Sequence, residues 1–405
     1  MKETIVPVPD GTATSPSGFH AGATFAGLKT YGQEKLDLGI LFSERQCAAA
    51  GVFTTNAIRS PSVILSQRRV ASGEARAVVV NSGCANACVG DQGMTDAMAT
   101  TALAAEQLAL GTGEVLFCST GVIGVELPMA LIRNGLPKVH LSPDGGHDLA
   151  RAMMTTDTRP KETAVTFTID GKTISLGGVC KGVGMIHPNM ATMLCLLTTD
   201  AAVDSNFLKH ALTDAVNRSF NQLTIDGDTS TNDSVIIMAN GVAGNQPLDA
   251  DSPGSSTFLE ALDQVCISLA RDLARDGEGA TKLITVTVEG AANLEDARKA
   301  ALTVAGSALV RTAVHGNDPN WGRILAALGR SGAQVEEGKV TLFVNEICIM
   351  DGGTPIHFFK DAVIAAMNTP EVVFRLQLGL GDDQASAWSC DLTEEYVTIN
   401  SAYTT

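Results

Sequence analysis

The sequence predicts an α/β protein of packed layers, and three observations carry that expectation. Aromatic residues make up only 4% of the chain against 40 glycines, which favours closely packed elements joined by many turns. Short apolar runs of strand length end repeatedly in turns rich in Gly or Asn. Longer segments between them carry apolar residues at helical spacing. With 405 residues, the chain is long enough for two or three domains with sizeable cores.

The first sixty residues alternate short apolar segments with turn signals. Gly18-Phe-His-Ala-Gly22, Leu36-Asp-Leu-Gly-Ile-Leu41 and Ala48-Ala-Ala-Gly-Val-Phe-Thr-Thr-Asn56 read as strands of one sheet. His20, among small residues, fits a structural or solvent-facing role better than a catalytic one. Arg76-Ala-Val-Val-Val-Asn-Ser-Gly is a buried strand running into a Gly/Asn turn, followed by a helix of small residues over Met94–Leu110. Cys84 and Cys88 lie four apart but lack a second ligand pair at zinc spacing, so no metal is expected.

Val115-Leu-Phe-Cys-Ser-Thr-Gly-Val-Ile-Gly124 is another strand ending in a glycine turn. There Thr120 and Gly121 can offer a hydroxyl and a backbone N–H side by side, the two donors that a developing oxyanion requires. A plain strand terminus gives the same pattern. A helical segment around Leu149–Met154 opens into the polar cluster Thr155-Thr-Asp-Thr-Arg-Pro-Lys161, suited to a substrate or to ordinary turn chemistry. A hairpin follows, Thr163–Ile169 and Lys172–Leu176 around Asp170-Gly171. Gly171-Lys172-Thr173 imitates the end of a phosphate loop, but Thr166 stands where that motif needs glycine.

Beyond a strand from about residue 194 comes an amphipathic helix, Asp204–Phe220, and the stretch Asn221–Asp233, dense in acids and hydroxyls. Its spacing is not that of a calcium loop. Residues 244–256 read as an exposed linker and Thr257–Asp276 as a helix reaching Gly277-Glu278-Gly279. Glu278, an acid between two glycines before the strand Leu283–Glu289, is placed to point into a site, although plain helix termination explains the glycines equally. The last third reads as a helix from Leu294, a loop His315–Arg323, strands Lys339–Asn345 and Glu346–Met350, and a helix Phe358–Met367. A final strand is expected to run from Ser389 into the hydroxyl-bearing C-terminus.

The net charge of −16 and the lack of a basic stripe argue against nucleic acid. Nine cysteines, an odd number scattered over a long chain, suit a reducing, cytoplasmic setting better than a disulfide framework. The N-terminus lacks the apolar core of a signal peptide, and no apolar run approaches the ~20 residues that cross a bilayer.

The chemistry centres on Lys181-Gly-Val-Gly-Met-Ile-His-Pro-Asn-Met-Ala-Thr192-Met-Leu. A Gly/Pro turn feeding a short buried strand presents one side chain at the strand's edge. That side chain is Thr192, whose hydroxyl could attack the carbonyl of Ala191 and cut the backbone there. Cutting frees an α-amine, of ordinary pKa about 7.7–8, that can serve as the base for the same hydroxyl. A cation such as Lys181 nearby would favour the neutral amine.

This string resembles the self-cleavage signature of the ornithine acetyltransferase (glutamate N-acetyltransferase) family of arginine biosynthesis. The similarity extends to Gly51–Asn56, Ser119–Gly124, Met154–Thr158, Asp226–Asp233, His315–Arg323 and Cys390–Val397. It implies a layered αββα sandwich of the self-processing kind with a smaller C-terminal α/β domain from about residue 285, and not a Rossmann fold. It implies fragments 1–191 and 192–405 that stay together, as a heterotetramer of two copies of each. Thr192 would take the acetyl group from N-acetylornithine and pass it to glutamate. Thr120 and Gly121 would form the oxyanion hole; Thr155, Lys181, Thr192, Glu278, Asn400 and Thr405 would line the substrate site. No cofactor is implied, although acetyl-CoA as a second donor would make the enzyme bifunctional. Cys84, Ser17 and Gly379-Leu-Gly-Asp-Asp383 depart from the family pattern, at none of these positions.

Two rival readings bracket this one. A related self-processing amidase or aminopeptidase would resolve the acyl-enzyme with water instead of an amine. A dinucleotide-binding protein is disfavoured, because Gly182-Val-Gly-Met lacks the third glycine and no doubly wound pattern surrounds it.

Overall fold

The computed structural model describes residues 4–29, 35–187 and 193–402. Its larger sheet has nine strands. Eight follow the order Val6–Pro7, Lys161–Ile169, Lys172–Lys181, Leu194–Thr199, Ser234–Ala239, Leu38–Phe53, Glu74–Cys84 and Val115–Val122, and Phe19–Thr24 joins the side of Leu38–Phe53. The expected strands at 36–41 and 48–56 are thus the two ends of one 16-residue strand. Its first part pairs with Phe19–Thr24 and Glu74–Cys84, and its second with Ser234–Ala239. The register breaks between Phe42 and Cys47. The polar run Glu44-Arg45-Gln46 is exposed at this bend, which explains why the strand reads as two in sequence.

The alternation of side chains shows the layers. On Glu74–Cys84, Val78 and Val80 enter one core cluster while Ala77 and Val79 enter another. On Leu194–Thr199, Leu194 and Leu196 join Val78 and Val80, while Cys195 and Leu197 face the opposite way. The two halves of the sheet therefore pack face to face over a shared apolar layer. The outer face of one half is covered by helices Pro61–Val70 and Gln92–Leu108, and that of the other by Ser205–Arg218 and Ser255–Arg275. This is the expected four-layer α/β/β/α sandwich.

A second sheet of six strands occupies the last third, in the order Thr354–Pro355, Ile347–Asp351, Thr341–Val344, Glu371–Gln377, Leu283–Ala291 and Asp383–Cys390. Helices Leu294–Ala305, Ala308–His315, Trp321–Gly329 and Lys360–Met367 contribute to its core. His315 therefore ends a helix, and Trp321 opens the next after a short turn, where a single long loop was expected.

The C-terminal expectation needs correction. The strand is Asp383–Cys390, and the chain then turns at Asp391-Leu-Thr393 into a helix, Glu394–Ala402. The β-branched run Val397-Thr-Ile399 suggests strand, but Glu394 and Glu395 in the first turn suit a helix N-terminus, and tertiary contacts decide. His20 sits on an edge strand with Nε2 2.8 Å from Glu44 Oε1, a surface contact. Among the described residues, no helix is long and apolar enough to cross a membrane.

Candidate active site

Two strand ends, the loops after two helices and the C-terminal helix contribute to one cavity of about 90 Å³. Thr120 and Gly121 come from the end of Val115–Val122, and Lys181 is the last residue of Lys172–Lys181. Thr155 follows the helix Gly146–Met153, Glu278 follows Ser255–Arg275, and Asn400 lies on the C-terminal helix. All six of these predicted residues line the cavity. Ala191, Thr192 and Thr405 lie outside the described residues.

The first described residue after Thr192 is nonetheless tightly held. The Met193 N–H donates to Asp233 Oδ1 at 2.9 Å, and its carbonyl accepts from the Ser234 N–H at 3.1 Å. Met193 leads directly into the strand that pairs with Lys172–Lys181, Leu194 standing opposite Lys181. Burial pushes the Asp233 carboxyl well above the usual range.

Gly121 pairs with Gly83 across a parallel ladder, at φ +127°. A Cβ on Gly121 would stand 2.3 Å from the Gly83 carbonyl carbon, so only glycine lets the two backbones approach this closely. Thr120 is buried, and its Oγ1 accepts a hydrogen bond from Lys181 Nζ at 3.1 Å. Burial lowers the Lys181 pKa below that of an ordinary lysine, against an upward pull from Asp157.

Asp157 joins the strand end to the loop. Its Oδ2 accepts from the Thr155 N–H at 3.0 Å, and its Oδ1 accepts from the Gly182 N–H at 2.9 Å and from Lys161 Nζ at 2.6 Å. Lys161 also donates to Asp276 at 2.6 Å, and Asp276 accepts from the N–H and hydroxyl of Thr158. Burial by itself would raise Asp157, but Lys161, Lys181 and the Gly182 N–H outweigh it and bring the pKa to about 2.

Glu278 forms the opposite wall. Its Oε1 accepts from Thr156 Oγ1 at 2.7 Å and its Oε2 from Asn400 Nδ2 at 2.8 Å. Its backbone N–H donates to Val183 O at 2.9 Å, and a Cβ on Gly184 would meet its carboxylate within 2.5–2.8 Å. Both glycines after Lys181 thus have work: Gly182, at φ +142°, makes the turn, and Gly184 leaves room for an acid.

The cavity also holds residues that sequence reasoning left unassigned: Thr156, Ser230, Thr231 and Asn232. Asn232 Nδ2 donates to the carbonyls of Ala85 and Ser119, at 2.6 and 2.8 Å, fixing the chain just before Thr120. Their signal was the density of acids and hydroxyls in 154–161 and 221–233.

A neutral hydroxyl backed by an ammonium, beside a glycine backbone, can stabilise an oxyanion. An acid on the facing wall can hold a cationic amine. This arrangement suits acyl transfer involving a substrate with a positively charged arm.

Comparison with known proteins agrees with this chemistry. The profile of the ArgJ family matches residues 20–405. The chain is 49% identical over 405 residues to the arginine biosynthesis bifunctional protein ArgJ of Dehalococcoides mccartyi, covering 100% of both chains. It is 51% identical over 397 residues to the protein of the same name from Symbiobacterium thermophilum, covering 98% of this chain and 99% of that one. The crystal structure of the arginine biosynthesis bifunctional protein argJ from Bacillus halodurans aligns at a TM-score of 0.51 and 42% identity. That match spans 51% of this chain and 98% of the solved one. With residues 20–405 matched by the family profile and relatives 49–51% identical over nearly the whole length, this chain belongs to the ArgJ family.

Proposed function

We propose that this chain transfers an acetyl group from N2-acetyl-L-ornithine to L-glutamate in arginine biosynthesis, through an acetyl ester on Thr192. One observation carries the reading: Thr120, Gly121, Thr155, Lys181, Glu278 and Asn400 meet around a single cavity, and Lys181 among them stands opposite Leu194 on the strand that begins two residues after position 192. The names of relatives 49–51% identical over nearly the whole chain point to the same pathway.

Activation is a cut between Ala191 and Thr192, giving pieces of 191 and 214 residues. The Thr192 hydroxyl attacks the Ala191 carbonyl, and the C–N bond breaks to leave an ester while the freed Thr192 amine takes up the hydroxyl proton. Water then hydrolyses that ester to the Ala191 carboxylate and the free Thr192 hydroxyl. It supports this reading that a solved chain from the Bacillus halodurans relative matches over 98% of its own length yet covers 51% of this one.

In turnover the α-amine takes the hydroxyl proton as Oγ attacks the acetyl carbon. Thr120 Oγ1–H and the Gly121 N–H receive the developing oxyanion. Collapse expels the ornithine α-amine, which regains the proton, and the glutamate amine then attacks the ester by the reverse path. Lys181 and the hydroxyl of Thr155 suit the substrate carboxylate, and Glu278 and Asn400 the ornithine side-chain amine; Thr405, outside the described residues, is a further substrate-binding residue by the family resemblance. Acetyl-CoA serves as a second acetyl donor, with no other cofactor. The two pieces associate as a heterotetramer, two of each, in the cytoplasm; the second piece includes a C-terminal α/β domain from about residue 285.

The test is ornithine release from acetylornithine with and without glutamate, beside intact-mass analysis of the wild type and Thr192→Ala. Glutamate-dependent acetylglutamate and two fragments, against one uncut inactive variant, are expected. Acetate release independent of glutamate would instead favour an amidase, and an uncut, fully active wild type would refute the mechanism.

A further inference from the structure

Lysine carries donors and, while protonated, no acceptor. In the hydrogen bond between Lys181 and Thr120, a charged Nζ must therefore donate and Thr120 Oγ1 must accept. The hydroxyl's own proton is then free to point elsewhere, and among the described residues no acceptor takes it. A neutral Nζ has a lone pair instead. The Thr120 proton can turn back onto it, and the cavity loses a donor. The charge on Lys181 thus sets the direction of the Thr120 O–H.

That charge is under strain. Lys181 is only 3% exposed, and among the described residues its ammonium has no acceptor other than the neutral Thr120 hydroxyl. The charged groups acting on it are Asp157, Asp233 and Glu278, which favour the cation, and Lys161, which opposes it; Lys29 also lies within electrostatic reach. Asp233 is itself disposed to be neutral through burial, and Glu278 is only half-buried and lines the cavity. Asp157 is the fully buried carboxylate whose charge is secured, by Lys161 and two backbone N–H groups, and its pull on Lys181 is the largest of the favourable ones.

We propose that Asp157 is a positioning residue for acetyl transfer: it keeps Lys181 protonated, so that Lys181 donates to Thr120 Oγ1 and the Thr120 proton stays available to the oxyanion. This rests on the acetyl-transfer reading above and adds to it a pH ceiling. Loss of the Lys181 proton disarms Thr120 without moving a heavy atom.

The experiment is the pH profile of kcat for ornithine release at saturating acetylornithine, so that any Lys181 contact with the substrate carboxylate enters KM instead, over roughly pH 6 to 10, in wild type, Asp157→Asn, Thr120→Val and the double variant, each checked for cutting by intact mass. In Asp157→Asn the high-pH fall should begin about one unit or more lower, since a near carboxylate typically moves a neighbour by 1–3 units. Thr120→Val should lose about 100-fold in kcat, and adding Asp157→Asn to it should move the fall no further. A high-pH limb unmoved in Asp157→Asn, or a shift that persists in the Thr120→Val background, overturns the inference. Should Asp157→Asn fail to fold, wild type against Thr120→Val still decides: the Lys181-linked limb must vanish or move in the valine variant, and an unchanged limb overturns the inference. A wild type that releases no ornithine at any pH overturns both readings, whereas an active wild type with an unmoved limb overturns this one alone.

Discussion

Asn400 donates its side-chain N–H to Glu278 Oε2 at 2.8 Å across 122 positions of sequence, so the C-terminal helix is tied to the wall of the cavity. With Thr156 on the other oxygen, the carboxylate is held by two donors and keeps lone pairs for a cation. Removing its charge with Glu278→Gln should cost about 2 kcal/mol in binding the ornithine amine, roughly a 30-fold rise in KM for acetylornithine. Asn400→Ala should cost about 1 kcal/mol, roughly fivefold. Steady-state kinetics with acetylornithine checks both, and acetyl-CoA as donor, lacking that amine, should be affected far less.

Gly184→Ala probes the same wall from the other side. Its new methyl group would meet the Glu278 carboxylate within 2.5–2.8 Å, and a carboxylate at the end of a flexible side chain can move away. The expected result is a KM for acetylornithine raised about tenfold, as from the loss of a hydrogen bond to a charged group. The melting temperature should change little, which separates a displaced acid from a damaged fold.

Lys161 is a stability test. Its ammonium lies between Asp157 and Asp276 with no side-chain exposure. Lys161→Met leaves two buried carboxylates without their cation, which typically costs 3–5 kcal/mol. Urea unfolding at neutral pH should show it, together with loss of activity, because Asp157 also holds Thr155 and Gly182.

The same group predicts an acid limit. Asp157 falls from an ordinary 3.8 to about 2 in the folded protein. A carboxyl depressed by folding stabilises the native state above its unfolded pKa and stops doing so as pH falls through its folded pKa. Roughly 2 kcal/mol of stability is therefore present at pH 5 and lost progressively from about pH 4 down to about pH 2. Urea midpoints measured across that window in wild type and Asp157→Asn test it: the wild type should lose more than the variant.

Much of this site was legible because its chemistry lies at strand ends. Thr120-Gly121 and Lys181-Gly182 are each an apolar run, a polar residue and a glycine, and a strand that stops in this way presents its last side chain to a cleft. Glu278 could be suspected from its flanking glycines, and Gly279, at φ +71°, does turn the chain there. What the sequence hid was whatever depends on distant partners. Asp157 looks like turn chemistry until Gly182 and Lys161 come to it, and Asn232 looks like part of a polar loop until it caps the Ala85 and Ser119 carbonyls. The helix Glu394–Ala402 was missed because three β-branched residues in a row outweigh a weak helix start in any local reading.

The order of the large sheet has a consequence for how the protein can come apart. Strands Leu194–Thr199 and Ser234–Ala239 sit between Lys172–Lys181 on one side and Leu38–Phe53 on the other, with ladders of six residue pairs at each border. A nick after residue 191 therefore leaves the later piece wedged between two strands of the earlier one, like a card held in the middle of a hand. The halves can part only by tearing both borders together, so exchange of subunits between cut molecules should be about as slow as unfolding itself. The return journey differs in kind. An uncut chain refolds alone, whereas a cut pair must first meet, and its recovery after denaturation should depend on concentration. Nicking would thus turn a reversible folder into one whose assembly is remembered from a single first folding.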